Sequence, residues 1–287
     1  MNVIKKGIIF DGKARVAVID VKDLVNEEIK LHDLSPLAAA ALGRSLAAGA
    51  YISNNLKSAT DMFSMTISGG GELGPIVVAG TGGNVLRGYV TNPRVELPPK
   101  ADGHLDIGKG VGKDGFITVI KDFGLKYPFM GRCALVSGEI AEDFTQYLFT
   151  SEGVKSAVAL GVRMDGTGCI AAGGVIVEAL PGLVEDEIFM IEDIMTNFAN
   201  VSEVLEKKSA EEIFDFYFSH LNSESYEKEE IVLQCNCSEE KIKNTLRSLG
   251  KKECDEILDE VGKIELVCHF CEKRYVYGKE DVEKLWR

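Results

Sequence analysis

Residues 35–53, SPLAAAALGRSLAAGAYIS, predict a helix in the first part of the chain. Ser35 can cap this helix with its side-chain oxygen, and Pro36 takes the first helical position, which proline favours. Small apolar residues then follow on every side of the helix rather than along one stripe. A helix that is apolar all round is normally buried, so we expect this one inside the core.

Strand-like runs flank this helix on both sides along the chain. They are rich in Val, Ile and Ala, are separated by turn residues, and lie at 15–21, 75–79, 116–120 and 174–177. They do not alternate regularly with helices. The first 180 residues therefore predict an α+β core domain with mixed strands and helices.

An acidic segment, residues 181–231, follows the core. Between positions 178 and 230 fifteen acidic side chains stand against three lysines, which is −12 of the total charge of −13. Ser209 and Glu212 form a capping box, so the segment is predicted to be helical. Like charges on neighbouring turns weaken a helix, so we expect a linker that depends on docking. An ordinary helical subdomain with a solvated acidic face fits the same pattern.

The last part of the chain, residues 232–287, carries four of the seven cysteines. They form two pairs, Cys235-x-Cys237 and Cys268-x-x-Cys271, and four thiolates in this arrangement suit tetrahedral zinc. The predicted unit has a capped helix beginning after Ser238, a second short helix, and a strand, cysteine turn and strand. A unit this small barely builds a core, so we expect zinc (Zn2+) to hold its fold.

The single residue between Cys235 and Cys237 favours a switch over a permanent staple. On an extended strand their Cα atoms would lie about 6.6 Å apart, near the upper limit for a disulfide, so oxidation would bend the backbone. Zinc-bound sulfurs are thiolates, the form that reacts with oxidants. Because a structural zinc carries the folding energy of its domain, its loss should unfold the unit.

The charge distribution argues against several partners. Residues 232–287 hold twelve acidic and eleven basic side chains, with no basic stripe for nucleic-acid phosphates. The apolar run after the first two lysines is too short for a signal peptide, and no stretch resembles a membrane span. We therefore expect a cytoplasmic protein with reduced cysteines and without nucleic-acid or membrane partners.

Two glycine motifs in the first domain do not indicate an enzyme. Residues 110–115 match GxGxxG, but FITVIKD after them predicts a strand where a dinucleotide site needs a helix. Residues 103–110 resemble a phosphate loop that lacks its Ser or Thr.

Three cysteines lie outside the two pairs. Cys133 and Cys169 are expected in the core, whereas Cys254, on a predicted helix, can offer a non-native thiol partner during oxidation.

Beyond these patterns, the chain resembles the 33 kDa chaperonin family of redox-regulated heat-shock holdases. The resemblance rests on the CxC and CxxC pairs and on four stretches: ALGRSLAAG, RGYVTNPRVELP, IKDFGLKYPF and VSGEIAEDFTQYLFTSE. It implies an ATP-independent chaperone that is inactive while Cys235, Cys237, Cys268 and Cys271 hold zinc. It also implies disulfides between Cys235 and Cys237 and between Cys268 and Cys271, zinc release, unfolding of the switch, and a homodimeric active form.

Under this resemblance the aromatic residues of the acidic segment become candidates for client binding. They form an apolar stripe that we expect to pack on the first domain in the resting state and to contribute to a client surface after release. The candidates are Phe189, Phe198, Phe214, Phe216 and Phe218.

Three classes of function remain open from the sequence: a redox-switched holdase, a zinc-ribbon module that binds nucleic acid or protein with a static zinc, and an enzyme in the glycine-rich first domain. The holdase, a stress-response protein without catalytic residues, is our prediction. The corresponding domains are 1–180 (core), 181–231 (linker) and 232–287 (zinc-binding switch).

Overall fold

The protein divides into two compact units on either side of the bond between Leu233 and Gln234. The computed structural model describes residues 2–286. Within these residues, no helix is both long enough and apolar enough to span a membrane.

Within residues 2–233, the first unit contains two sheets, antiparallel in all pairs but one, and seven helices. Its strands are β1 (Val3–Ile9), β2 (Ala14–Asp20), β3 (Met62–Ser68), β4 (Ile76–Thr81), β5 (Val85–Val90), β6 (Phe116–Asp122), β7 (Phe129–Ala134), β8 (Ser156–Asp165), β9 (Gly168–Ala179), β10 (Glu224–Ser225), β11 (Glu229–Glu230) and β12 (Val232–Leu233). Its helices are α1 (Lys22–His32), α2 (Pro36–Asn54), α3 (Ile107–Val111), α4 (Ala141–Ser151), α5 (Glu185–Thr196), α6 (Val201–Lys207) and α7 (Ala210–Tyr217).

The strands join in an order that differs from their order along the chain. The first sheet runs β10-β1-β2-β9-β8, with β11 also paired to β1, and the second runs β12-β5-β4-β3-β6-β7. The short strand β12 is parallel to β5, whereas the other pairs are antiparallel. The predicted strands lie within or overlap β2, β4, β6 and β9, which confirms the α+β fold class.

Helix α2 packs against both sheets and fills the space between them. Sixteen of its nineteen residues are buried, as its apolar surface predicts, and Ser35 caps it by accepting a hydrogen bond from the Ala38 N–H at 3.2 Å. Two glycines of α2 allow the helix to approach both sheets closely. A Cβ on Gly43 would lie 2.7 Å from Val162 of the first sheet, and one on Gly49 would lie 2.6 Å from Val78 of the second.

The acidic segment packs on the opposite face of the first sheet. Along β2, Ala17 and Ile19 face the core around α2, while Val16 and Val18 face the acidic segment, as the two-residue period of a strand requires. From the segment, the buried residues of this second core are Ile191, Phe198, Val201, Leu205, Ala210, Ile213, Phe214, Phe218 and Leu221. The capping box at Ser209 and Glu212 is present, as predicted.

Within residues 234–286, the second unit consists of three helices and one hairpin. Its elements are α8 (Glu239–Leu249), α9 (Lys251–Val261), β13 (Ile264–Val267), β14 (Arg274–Tyr277) and α10 (Lys279–Lys284). Ser238 caps α8 through the Lys241 N–H, and Gly250 ends it with a positive φ of 98°, both as predicted. Its core contains only eight buried residues: Leu246, Cys254, Leu258, Ile264, Tyr275, Tyr277, Val282 and Leu285.

The structure places one domain boundary, between residues 233 and 234, and includes the acidic segment in the first compact unit. The finer division into core, linker and switch therefore stays a prediction.

Candidate metal centre

The turn between β13 and β14 presents Cys268 and Cys271. The Cys268 N–H donates to the Lys273 carbonyl at 3.0 Å, and the Cys268 carbonyl accepts from the Cys271 and Glu272 N–H groups at 3.2 and 2.8 Å. Glu272 adopts a left-handed conformation with φ of 54°, which closes the turn. The backbone thus fixes both thiols at one end of the hairpin.

The other two thiols precede α8. The Cys237 N–H donates to Cys235 Sγ at 3.4 Å, so the short spacer brings the first sulfur back towards the backbone of the second cysteine. Ser238 then begins α8 by capping it. The start of α8 therefore fixes the position of Cys237, the residue directly before the cap.

The four sulfurs form one cluster with the dimensions of a tetrahedral metal site. Cys235 Sγ lies 3.7 Å from Cys268 Sγ, Cys237 Sγ lies 3.4 Å from Cys271 Sγ, and the four sulfurs are within 4.8 Å of one another. Four sulfurs at the usual zinc–sulfur distance would be about 3.8 Å apart. The residues present therefore fit a metal ion, and an all-sulfur donor set is the kind that zinc prefers.

All seven cysteines, which lie within the described residues, are free thiols. The two short sulfur–sulfur distances run between the CxC and CxxC pairs rather than within them. They exceed the length of a disulfide bond, about 2.05 Å, so the sulfurs meet as ligands would and not as bonded pairs.

The thiols of the cluster differ in acidity. Burial opposes ionisation of Cys237, but hydrogen bonds from Tyr275 and the neighbouring thiols outweigh it and lower its pKa to about 7. Burial raises the pKa of Cys271 to about 12, and the hydrogen bond with Cys237 acts in the same direction. Burial also raises the pKa of Cys235. The surroundings therefore favour the thiolate of Cys237 and oppose ionisation of Cys235 and Cys271.

Tyr275 is a further residue of the site that the sequence analysis did not single out. Its hydroxyl lies 3.2 Å from Cys237 Sγ, and this contact raises the pKa of Tyr275, which favours the hydroxyl as a donor. Its ring packs in the small core of the unit. In β14, Tyr275 and Tyr277 are buried and Val276 is exposed, as the two-residue period of a strand requires. That alternation could have indicated that Tyr275 is buried, but it does not identify its contact with a cysteine sulfur.

The remaining cysteines lie outside the cluster. Cys169 is buried, as predicted, but Cys133 is only partly buried, because β7 is the last strand of its sheet and is covered on one face by α4. Cys254 is fully buried in α9, where its sulfur lies 3.7 Å from the Leu246 carbonyl. It becomes available to other thiols only when α9 leaves this core.

The five client-binding candidates separate into two groups. Phe198, Phe214 and Phe218 are buried against the first sheet, whereas Phe189 and Phe216 are 69% and 64% exposed. The expectation that the whole stripe packs is therefore wrong for Phe189 and Phe216. Along α7 and its C-cap residue 218, residues 214 and 218 share a face because they are four positions apart, and residue 216 projects from the other side.

Comparisons with known proteins agree over nearly the whole chain. The family model described as Hsp33 protein matches residues 2–278. A 33 kDa chaperonin of Clostridium perfringens (strain SM101 / Type A) is 40% identical over 287 aligned residues, covering 98% of this chain and 90% of that protein. A 33 kDa chaperonin of Bacillus cytotoxicus is 39% identical over 282 residues, covering 98% and 97%.

A solved structure shows the same fold. The crystal structure of the 33 kDa chaperonin (heat shock protein 33 homolog) from Thermotoga maritima matches with a TM-score of 0.91 and 35% sequence identity. The match covers 99% of this chain and 97% of that one. The agreement includes both compact units.

Proposed function

The chain belongs to the Hsp33 family of chaperones, and on that premise we propose that it is a redox-regulated, ATP-independent holdase. It binds unfolding proteins under oxidative stress and rests in the reduced state with zinc at Cys235, Cys237, Cys268 and Cys271. The observation that carries this proposal is the four-sulfur cluster in a unit whose own core is very small.

In the resting state, zinc supplies most of the free energy that keeps the second unit folded. The protein contributes the four sulfurs, the N–H of Cys237 that contacts Cys235, and the Tyr275 hydroxyl that contacts Cys237. Eight buried residues alone give a 54-residue unit little stability.

Oxidation converts this chemistry into unfolding. A thiolate attacks peroxide, is oxidised to a sulfenic acid and releases hydroxide; a second thiol then displaces the hydroxyl group as water and forms the disulfide. Each disulfide gives up two electrons, and these reduce one peroxide to water and hydroxide. We assign the pairs to Cys235 with Cys237 and Cys268 with Cys271, so the first disulfide already removes two metal ligands.

The unfolded second unit then destabilises the acidic segment, which follows the core domain (1–180) as a linker (181–231) and precedes the switch (232–287). Release of this segment uncovers Phe198, Phe214 and Phe218 together with the sheet residues under them. Exposed apolar surface of this kind binds unfolding clients and favours association of two copies. The active form is accordingly a homodimer that acts in the cytoplasm without catalysis.

The test is light scattering from a denatured client protein that aggregates on dilution. The zinc-loaded protein is added either reduced or after peroxide treatment with mild heating, and only the oxidised form is expected to suppress aggregation. Reduction with dithiothreitol and zinc should restore the inactive form. Equal activity in both forms would contradict redox regulation, and no activity in either form would indicate a static zinc module that binds another protein or nucleic acid.

A further inference from the structure

The face of the first sheet that lies under the acidic segment combines apolar residues with cations. Its centre is formed by Val16 and Val18 of β2 and Val175 and Val177 of β9, all buried. Lys5, Lys13 and Arg163 are the cations. We call these seven residues the docking face.

The cations of the docking face hold carboxylates of the acidic segment. Lys13 Nζ lies 2.7 Å from Glu187 of α5. Arg163 contacts two carboxylates of α6, with Nη1 3.1 Å from Glu203 and Nε 3.2 Å from Glu206. In each of these ion pairs the positive charge belongs to the sheet and the negative charge to the segment.

The edge of the sheet repeats this polarity. Lys6 of β1 lies 3.3 Å from Glu229 of β11. Asp11, a carboxylate in the turn that also contains Lys13, contacts an uncharged amide, that of Asn222, at 3.4 Å. The sign of the charges, and not only the apolar area, therefore matches between the sheet and the segment.

Lys5 is the buried cation of the docking face, and it needs a partner that offers a hydrogen-bond acceptor. It is 8% exposed, its ammonium donates to the Tyr226 carbonyl, and it lies 5.9 Å from the centre of the Phe214 ring. Both partners belong to the acidic segment. When the segment leaves, this ammonium loses an acceptor and a ring face, and an apolar occupant without an acceptor cannot replace them.

We propose that the docking face, once released, selects client segments with the chemistry of the acidic segment: aromatic and aliphatic residues interspersed with carboxylates. This inference rests on the proposed function and adds the chemical class of client. The acidic segment then acts as an intramolecular competitor, because it occupies the same apolar centre and the same cations. Client segments rich in lysine and arginine bind less tightly, because their charges repel the cations of the docking face.

The experiment measures binding of two unstructured, fluorescently labelled peptides to the oxidised full-length chain by anisotropy. The peptides have the same length and the same aromatic and aliphatic residues, and their polar positions are Glu in one and Lys in the other. At low salt we expect the Glu peptide to bind about tenfold more tightly, and the difference to shrink at about 1 M salt, where the screening length is ~3 Å.

A charge-reversal variant, Lys13→Glu with Arg163→Glu, removes the preference if the docking face is the site. Both side chains are partly exposed, at 35% and 43%, so the sheet should still fold. The matched control is Lys113→Glu with Lys126→Glu, two exposed lysines in loops next to β6 of the second sheet, which makes the same change in net charge. The control should keep the preference.

The outcomes separate this inference from the proposed function. Equal affinity for the two peptides, or an equal loss of preference in both double variants, overturns the charge selection while the holdase stands. If the oxidised chain fails to suppress client aggregation at all, the proposed function falls and this inference falls with it.

Discussion

At Cys237 the chemistry of the cluster is most sensitive to its surroundings. Its sulfur contacts Cys271 at 3.4 Å and the Tyr275 hydroxyl at 3.2 Å, and its thiol has a lowered pKa of about 7. Hydrogen bonds to a sulfur ligand control its charge and its reactivity. Cys237 is therefore the thiol of the cluster that is best prepared to meet either a metal or an oxidant.

Removing one ligand should unfold the second unit. In Cys235→Ser, zinc keeps three thiolates, and part of the roughly 10–16 kcal/mol that a structural zinc supplies at neutral pH is lost. We expect a large drop in bound zinc by atomic absorption and rapid hydrogen exchange throughout residues 234–286.

The control for that change is Cys254→Ala, which removes a thiol from the same unit but outside the cluster. It should retain a full equivalent of zinc. Normal zinc content and slow exchange in Cys235→Ser would contradict the assignment of this ligand.

Zinc affinity should fall as the pH is lowered below the range in which free thiols ionise. Without zinc the second unit is unfolded and its four cluster thiols have the ordinary pKa of about 8.5, so below that value zinc must displace a proton from each of them. Competition with a chromophoric chelator at stepped pH measures this fall in affinity.

Tyr275→Phe tests whether the hydroxyl of Tyr275 supports this zinc site. It keeps the ring in the core but removes the hydrogen bond to Cys237 Sγ, so the whole profile should shift to about tenfold weaker zinc affinity. An unchanged profile would show that Tyr275 does not control this thiol.

Among the secondary-structure elements, α7 makes an unusually close contact with the first sheet. Phe214 of α7 lies directly over Gly7 of β1, and a Cβ on Gly7 would be 2.3 Å from the Phe214 ring. The missing side chain of Gly7 thus makes room for the ring. By contrast α5, a helix of twelve residues, buries only Ile191.

Gly7→Ala should therefore loosen the acidic segment without touching the cysteines. Overpacking of this kind typically costs about 1–3 kcal/mol. We expect faster hydrogen exchange in α7 and partial suppression of client aggregation by the reduced protein, with zinc content unchanged.

Gly166→Ala is the matched control, because a Cβ there meets nothing within 4 Å. It should leave exchange and activity as they are. A reduced Gly7→Ala protein with fast exchange in α7 but no activity would show that release of α7 alone does not activate the chaperone.

Helix starts could be predicted from local sequence, whereas the shortest strands could not. Ser35, Ser209 and Ser238 cap helices where the sequence predicts them, because a cap and the N–H it accepts from are only three residues apart. The strands β10, β11 and β12 have two residues each and no periodicity, so their pairing depends on distant partners in β1 and β5.

The same limit applies to the site. The spacing of the cysteines predicts the cluster because each pair is local and metal chemistry requires four sulfurs together. The contact of Tyr275 with Cys237 joins residues 38 positions apart through the hairpin, and no pattern along the chain encodes it.

For the whole molecule, the two compact units should unfold as separate events. The first has an extensive core around α2, and the second has eight buried residues and the cluster of four cysteines. Calorimetry of the reduced protein should show that only the transition of the second unit moves with free zinc, by about 1.4 kcal/mol for each tenfold change once zinc is in excess.

Treatment with a chelator under reducing conditions should abolish that transition and leave the main one near its original temperature. A single transition that shifts as a whole with zinc would show that the two units fold as one.

The three two-residue strands also have a mechanical consequence. Between α7 and the first cysteine the chain is attached to the sheets by β10, β11 and β12. Each is short enough to detach on its own, so disorder that starts at residue 234 would spread backwards along the chain one strand at a time. Under the proposed redox switch we therefore expect a graded release, in which partial oxidation frees part of the acidic segment before α7 leaves Gly7.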